Sequence, residues 1–145
     1  MVNDMYTLEE IAALRQKCAV LKLDGREKLN EYTDEELQSI CNGIGPRALP
    51  RFLRKTLNNL HPALEPAALI HDVDFERSDG TKEGFDRANA RFLANGFRGA
   101  LSCAWYDLRR YLAMFHAFRL ALCCRHFGGI FWQLAARRNA SEKEL

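Results

Sequence analysis

The sequence predicts an all-α protein, and three observations carry that expectation. Capping-box signatures stand at Thr7-Leu8-Glu9-Glu10 and Thr33-Asp34-Glu35-Glu36, where a threonine hydroxyl accepts a first-turn amide and the glutamate three residues on reaches back. Apolar residues recur at helical spacing after them, as in Ile11, Leu14, Cys18 and Leu21, which is one face of a 3.6-residue repeat. No stretch alternates apolar and polar side chains over the length of a strand, so the period-2 signal of a sheet is missing.

The elements follow in order. The first capping box opens a helix that the Asp24-Gly25 turn closes, and the second opens a helix through Leu37 and Ile40,. That second helix is expected to stop in the glycine loop at 43 to 45, where Pro46 cannot continue it,. Residues 47 to 60 read as a basic, poorly periodic connector containing Pro50, with Phe52, Leu53 and Leu57 expected to tether it to the core. Pro66 suits the first turn of a helix that runs through Phe75 and ends at Ser78-Asp79-Gly80,. Lys82 to Asn95 forms the next helix, with Gly96 at its C′ position,. The short link between these two makes them antiparallel neighbours. From Leu101 onward the apolar positions 101, 105, 108, 112, 115, 118 and 122 mark one face of a long helix that Gly128-Gly129 breaks,. Its aromatic stripe from Trp105 to Phe118 is expected to be buried, as such faces usually are. One domain over residues 1–138 is expected, with 139–145 a disordered tail.

With 145 residues, 48% hydrophobic and 28% charged, the chain supports one core, and its net charge of +2 gives no steering toward nucleic acid,. The charge is nevertheless uneven. Between Phe97 and Arg138 stand seven arginines against one acid, Asp107. An aromatic, arginine-rich stretch of this kind suits an anionic phospholipid headgroup layer. The cysteines at 18, 41, 103, 123 and 124 lack C-x2-C spacing, so free thiols are expected,. Residues 1 to 6 carry neither a positive leader nor an apolar h-region, and arginines interrupt the C-terminal stretch before any window of roughly 18 uncharged residues is reached,. A cytoplasmic protein, peripheral on a membrane rather than crossing it, is the expectation.

The pair His71-Asp72 carries the chemistry. Adjacent helical side chains diverge by about 100°, so the two must serve different atoms. Asp86, on the antiparallel helix, is expected to accept from one ring nitrogen of His71 and fix its tautomer, which leaves the other nitrogen as a general base toward water. Glycine lets the loop Gly43-Ile44-Gly45 turn its carbonyls inward, and such carbonyls with the Asp72 carboxylate form the oxygen set a hard cation such as calcium takes. His61, His116 and His126 receive no role, Asp74 is expected to be solvated, and Asp79 to serve its turn.

In this order the segments Cys41-Asn42-Gly43-Ile44-Gly45, His71-Asp72-Val73-Asp74-Phe75 and Phe85-Asp86-Arg87-Ala88-Asn89-Ala90 resemble the phospholipase A2 superfamily, over roughly residues 41 to 96. Phe115-His116-Ala117-Phe118-Arg119 through Phe127-Gly128-Gly129 is similar to the tail of its disulfide-free bacterial and phage members. The resemblance implies a catalytic helix pair preceded by a calcium loop and flanked by N- and C-terminal helices. It further implies that His71 activates water, that Asp72 with the carbonyls of Cys41, Gly43 and Gly45 binds calcium, and that Asp86 orients His71. The departures are Ala67 and Ala68 where secreted members carry cysteines, Phe75 in place of a tyrosine, and a longer connector at 47–65 that offers a lid or a protein-partner surface. The expected function is calcium-dependent hydrolysis of a phospholipid acyl ester. The alternative is a catalytically weak or inactive calcium-binding or interaction module of phage or prophage origin. A His-Asp metal phosphohydrolase is disfavoured, because it needs further converging histidines.

Overall fold

The computed structural model describes residues 5–44 and 50–143. Within them the chain forms seven α-helices and one 3-10 turn, with no strand. They are α1 (Leu8–Val20), α2 (Asp34–Ile40), α3 (Arg51–Leu60), α4 (Glu65–Glu76), α5 (Lys82–Leu101), α6 (Leu108–Phe127) and α7 (Gly129–Lys143), with the 3-10 turn at Arg26–Glu31. Both capping boxes form reciprocally. Glu10 donates its amide to Thr7 Oγ1 at 3.2 Å and Thr7 donates its own to Glu10 Oε2 at 2.7 Å, and the Thr33/Glu36 pair repeats these distances. Gly25 enters the 3-10 turn at φ +82°, a left-handed conformation that favours glycine,.

Two apolar cores result. The first joins α1, α2 and α4 through Ile11, Leu14, Cys18, Leu37, Leu69, Ile70 and Val73. Here the periodicity read from the sequence faces inward as expected. The second lies where α5 packs on α6, and it is built largely from small residues: Ala67, Ala68, Ala100, Ala113, Ala117 and Ala121, with Leu64 and Phe92. A methyl group added at Gly96 would stand 3.0 Å from the Ala117 methyl, so the two helices approach too closely there for larger side chains,.

Several boundaries differ from the expectation. Gly96 does not close α5, which runs on to Leu101 with Gly96 buried against α6. A glycine mid-helix here serves close packing rather than termination. The last helix of the stretch begins at Leu108, capped by the Asp107 carboxylate accepting from the Arg109 amide, and not at Leu101. It also faces the opposite way from the expectation. Ala113, Ala117 and Ala121 are buried, while Tyr111, Leu112, Phe115, Phe118 and Leu122 are 54%, 47%, 56%, 49% and 39% exposed. The stripe expected in the core is therefore on the surface.

The connector is also reversed. Its residues 51–60 form α3, which buries Arg54 and Asn58 and exposes Phe52 and Leu53; of the three expected tethers only Leu57 packs on the core. The expected disordered tail is helical through Lys143, and Asn139 Nδ2 donates to the Glu76 carbonyl at 2.8 Å. Asp74 is not solvated but buried, held by Lys28 Nζ at 2.6 Å and Arg91 at 2.7 Å. All five cysteines are free thiols. No helix among the described residues is long and apolar enough to cross a membrane.

Candidate active site around His71 and Asp72

The α4–α5 hairpin sets the site. Its turn is fixed by Asp79, whose Oδ1 accepts from the Thr81 amide at 2.9 Å, and by Gly80 at φ +72°. The antiparallel return brings α5 beside His71, whose Nε2 lies 3.2 Å from Asn89 Oδ1. Asn89 Nδ2 donates to the Phe85 carbonyl at 3.0 Å. With that amide nitrogen committed, Oδ1 faces the ring and must accept, so Nε2 carries the proton and Nδ1 is left as the basic nitrogen. The ring lies between Phe75 and Phe92, with centroids 4.7 and 4.8 Å away. Burial holds the His71 pKa below its usual 6.5, only partly offset by the Asn89 bond and the Asp74 charge. The imidazole is thus neutral at pH 7, as a general base must be.

Asp86 does not take the orienting position. Its carboxylate pairs with Lys82 one turn back, at 2.5 Å, and that partner holds its pKa below the usual carboxylate range. The physical reason is helical phase. The buried stripe of α5 contains Gly84, Ala88, Asn89, Phe92 and Asn95, and Asp86 lies off it. Asn89 is the residue the sequence reading missed. A signal was there, since Asn89 stands at i+4 from Phe85 and i−3 from Phe92 and so interrupts an apolar stripe with a polar side chain,.

Asp72 turns the other way, toward the glycine loop, and its Oδ2 accepts from the Asn42 amide at 2.7 Å. Gly43 sits at φ +71°, and a methyl group there would meet Asn58 Nδ2 at 2.6 Å. Helix α3 holds this loop through its two buried polar residues. Arg54 donates to the Asn42 carbonyl at 3.2 Å, and Asn58 Oδ1 accepts from the Ile44 amide at 2.8 Å. Asn58 Nδ2 then donates to the Tyr6 hydroxyl, which donates to Glu65 Oε2 at 3.0 Å. A chain of satisfied polar groups such as this rigidifies what it touches. Burial pushes the Cys41 thiol well up, and the Asp72 charge adds to it, so Cys41 stays protonated behind the loop.

The structure therefore brings together Asp72, Cys41 and Gly43, sets His71 against Asn89, and leaves Asp86 outside; Gly45 lies outside the described residues. No group of three or more His, Cys, Asp and Glu side chains gathers among the described residues as a metal cage would require. A loop-type calcium site differs in kind, since main-chain carbonyls supply most of its oxygens. One carboxylate aimed at a loop with left-handed glycine backbone agrees with that donor chemistry. Compared with known proteins, the chain matches no family model, no curated protein and no solved structure.

Proposed function

We propose that this chain hydrolyses a phospholipid acyl ester in a calcium-dependent way, in the manner of phospholipase A2-like enzymes. The observation that carries the reading is the divided orientation of two adjacent residues. Asp72 binds the Asn42 amide in the glycine loop, while His71, held neutral, donates from Nε2 to Asn89. Asp72 and the carbonyls of Cys41 and Gly43, with Gly45 beyond the described residues, are the groups that would hold calcium. Bound there, the ion would supply Lewis-acid polarisation of the ester carbonyl. His71 Nδ1 takes a proton from water as the water oxygen forms its bond to the acyl carbon. The same proton passes to the departing alkoxide when the ester C–O bond breaks, giving a fatty acid and a lysophospholipid. Asn89 is a positioning residue, because it holds the ring and its tautomer without touching substrate.

The lipid surface as partner is supported by exposed side chains of the α5–α6 link, α6 and α7. Trp105, Tyr106, Phe127 and Ile130 are each more than 70% exposed. Arginines are interleaved with these side chains, and Arg119 lies over the Phe115 ring at 5.6 Å. Exposed aromatic and aliphatic groups interleaved with cations suit the interfacial zone of an anionic bilayer.

A second reading is a weak or inactive module that retains the loop and the lipid face, with a protein partner on the exposed side of α3. It is favoured by one feature: the group on His71 is a neutral amide, which stabilises an imidazolium less than a carboxylate does,. Fatty-acid release from mixed phospholipid vesicles, with calcium and then with chelator, separates the two. The hydrolytic reading expects calcium-dependent release that His71→Gln abolishes. Vesicle binding without release by the wild-type chain supports the second reading instead.

A further inference from the structure

A cleft of about 550 Å³ lies away from the His71 site. Its walls come from the ends of α1 and α3 (Val20, Leu60), the α3–α4 link (Pro62, Ala63), the α5–α6 link (Cys103) and α6 (Leu112), and neither His71, Asp72, Asn89 nor the glycine loop borders it. We propose that this cleft binds one free long-chain fatty acid, with the chain along the apolar walls and the carboxylate at Lys17 on the rim.

Three observations fix the class of ligand. The volume falls within the roughly 300–1,000 Å³ range of small-molecule sites. The walls are mainly apolar, with polar groups confined to a few positions. Of the two cations that border the cleft, Arg109 is committed to Asp107 at 2.8 Å, whereas Lys17 makes no ion pair among the described residues. One unpaired ammonium beside an apolar slot matches one carboxylate on one chain. His61, in the wall, stacks on His116 with ring centroids 4.1 Å apart, and burial together with that neighbour holds it below its usual pKa, so it brings no positive charge to the wall at pH 7. The proposal stands whether or not His71 turns over substrate.

Calorimetric titration of the full chain at pH 7.5 with submicellar oleate tests it, with oleyl alcohol as the uncharged probe. One oleate per chain is expected. Ala63→Trp, which fills the cleft, should weaken oleate at least tenfold, and Leu60→Asp, which places a charge in the wall, should do the same if the tryptophan variant fails to fold. Lys17→Glu should weaken oleate several-fold and leave oleyl alcohol unchanged. His71→Gln should bind oleate as the wild type does, so loss of hydrolysis and loss of this site are read separately. Oleate affinity unchanged in both wall variants overturns the proposal. So does a dimer, seen by sedimentation, that the wall variants dissociate, because the cleft would then hold a second copy of the chain.

Discussion

The core beneath α1, α2 and α4 and the interface between α5 and α6 are both helical packings, yet they use amphipathicity in opposite senses. In the first, large apolar residues turn inward, with Ile11, Leu37, Leu69 and Val73 fully buried. In the second, alanines turn inward and the large residues of α6 turn out. Helix α3 repeats the inversion with polar rather than small residues, burying Arg54 and Asn58 against the glycine loop and exposing Phe52. The first region thus turns its large side chains into the protein, and the second leaves them on the surface.

The largest expected effects lie in the first region. Leu69→Ala should lower unfolding free energy by about 2–5 kcal/mol, the usual range for a buried leucine; urea unfolding followed by circular dichroism measures it. A loss below about 1 kcal/mol would mean that this core is looser than its burial indicates. Asp74→Asn leaves Lys28 and Arg91 facing a neutral group. Because both cations keep some solvent contact, the loss should fall at or below the low end of the roughly 3–5 kcal/mol seen for broken buried pairs.

At the α5–α6 interface, Ala117→Leu should cost about 1–3 kcal/mol by overpacking against Gly96,. A neutral or stabilising outcome would show that the small-residue contact has room to spare, and would break the contrast with the first core.

Acid should act more gently. His71 and His61 both have folded pKa values held below the usual 6.5 by burial. The unfolded chain therefore binds more protons than the folded one below pH 6.5, and stability falls as pH drops from there until the folded values are passed. Above pH 6.5 the contribution is complete. Urea midpoints across pH 5 to 8 read this, and replacing both histidines by glutamine should flatten the slope in that window.

The smallest effect on stability is the one that sharpens the comparison most. Phe115→Ser should change unfolding free energy by no more than about 0.5 kcal/mol, as surface substitutions do, while weakening flotation with anionic vesicles. A loss as large as that at Leu69 would show that the outer face of α6 is covered within the chain itself.

How far the sequence could be read follows the same division. Local chemistry was legible: both capping boxes, the Asp79 turn and the antiparallel α4–α5 pair all follow from residues close together in the chain. The divergence of His71 from Asp72 was legible too, because neighbouring side chains on a helix cannot share a direction. Tertiary structure decided the rest. Whether α6 turns its alanines or its aromatics inward depends on what α5 presents, and Gly96, close against the Ala117 methyl, admits only a small partner. The partner of His71 depended on helical phase against α4, which chose Asn89 over Asp86. Arg54 and Asn58 had no local signal at all. Their burial exists because the glycine loop, with its amides and carbonyls turned away from regular structure, needed polar partners brought to it from a distant stretch of chain.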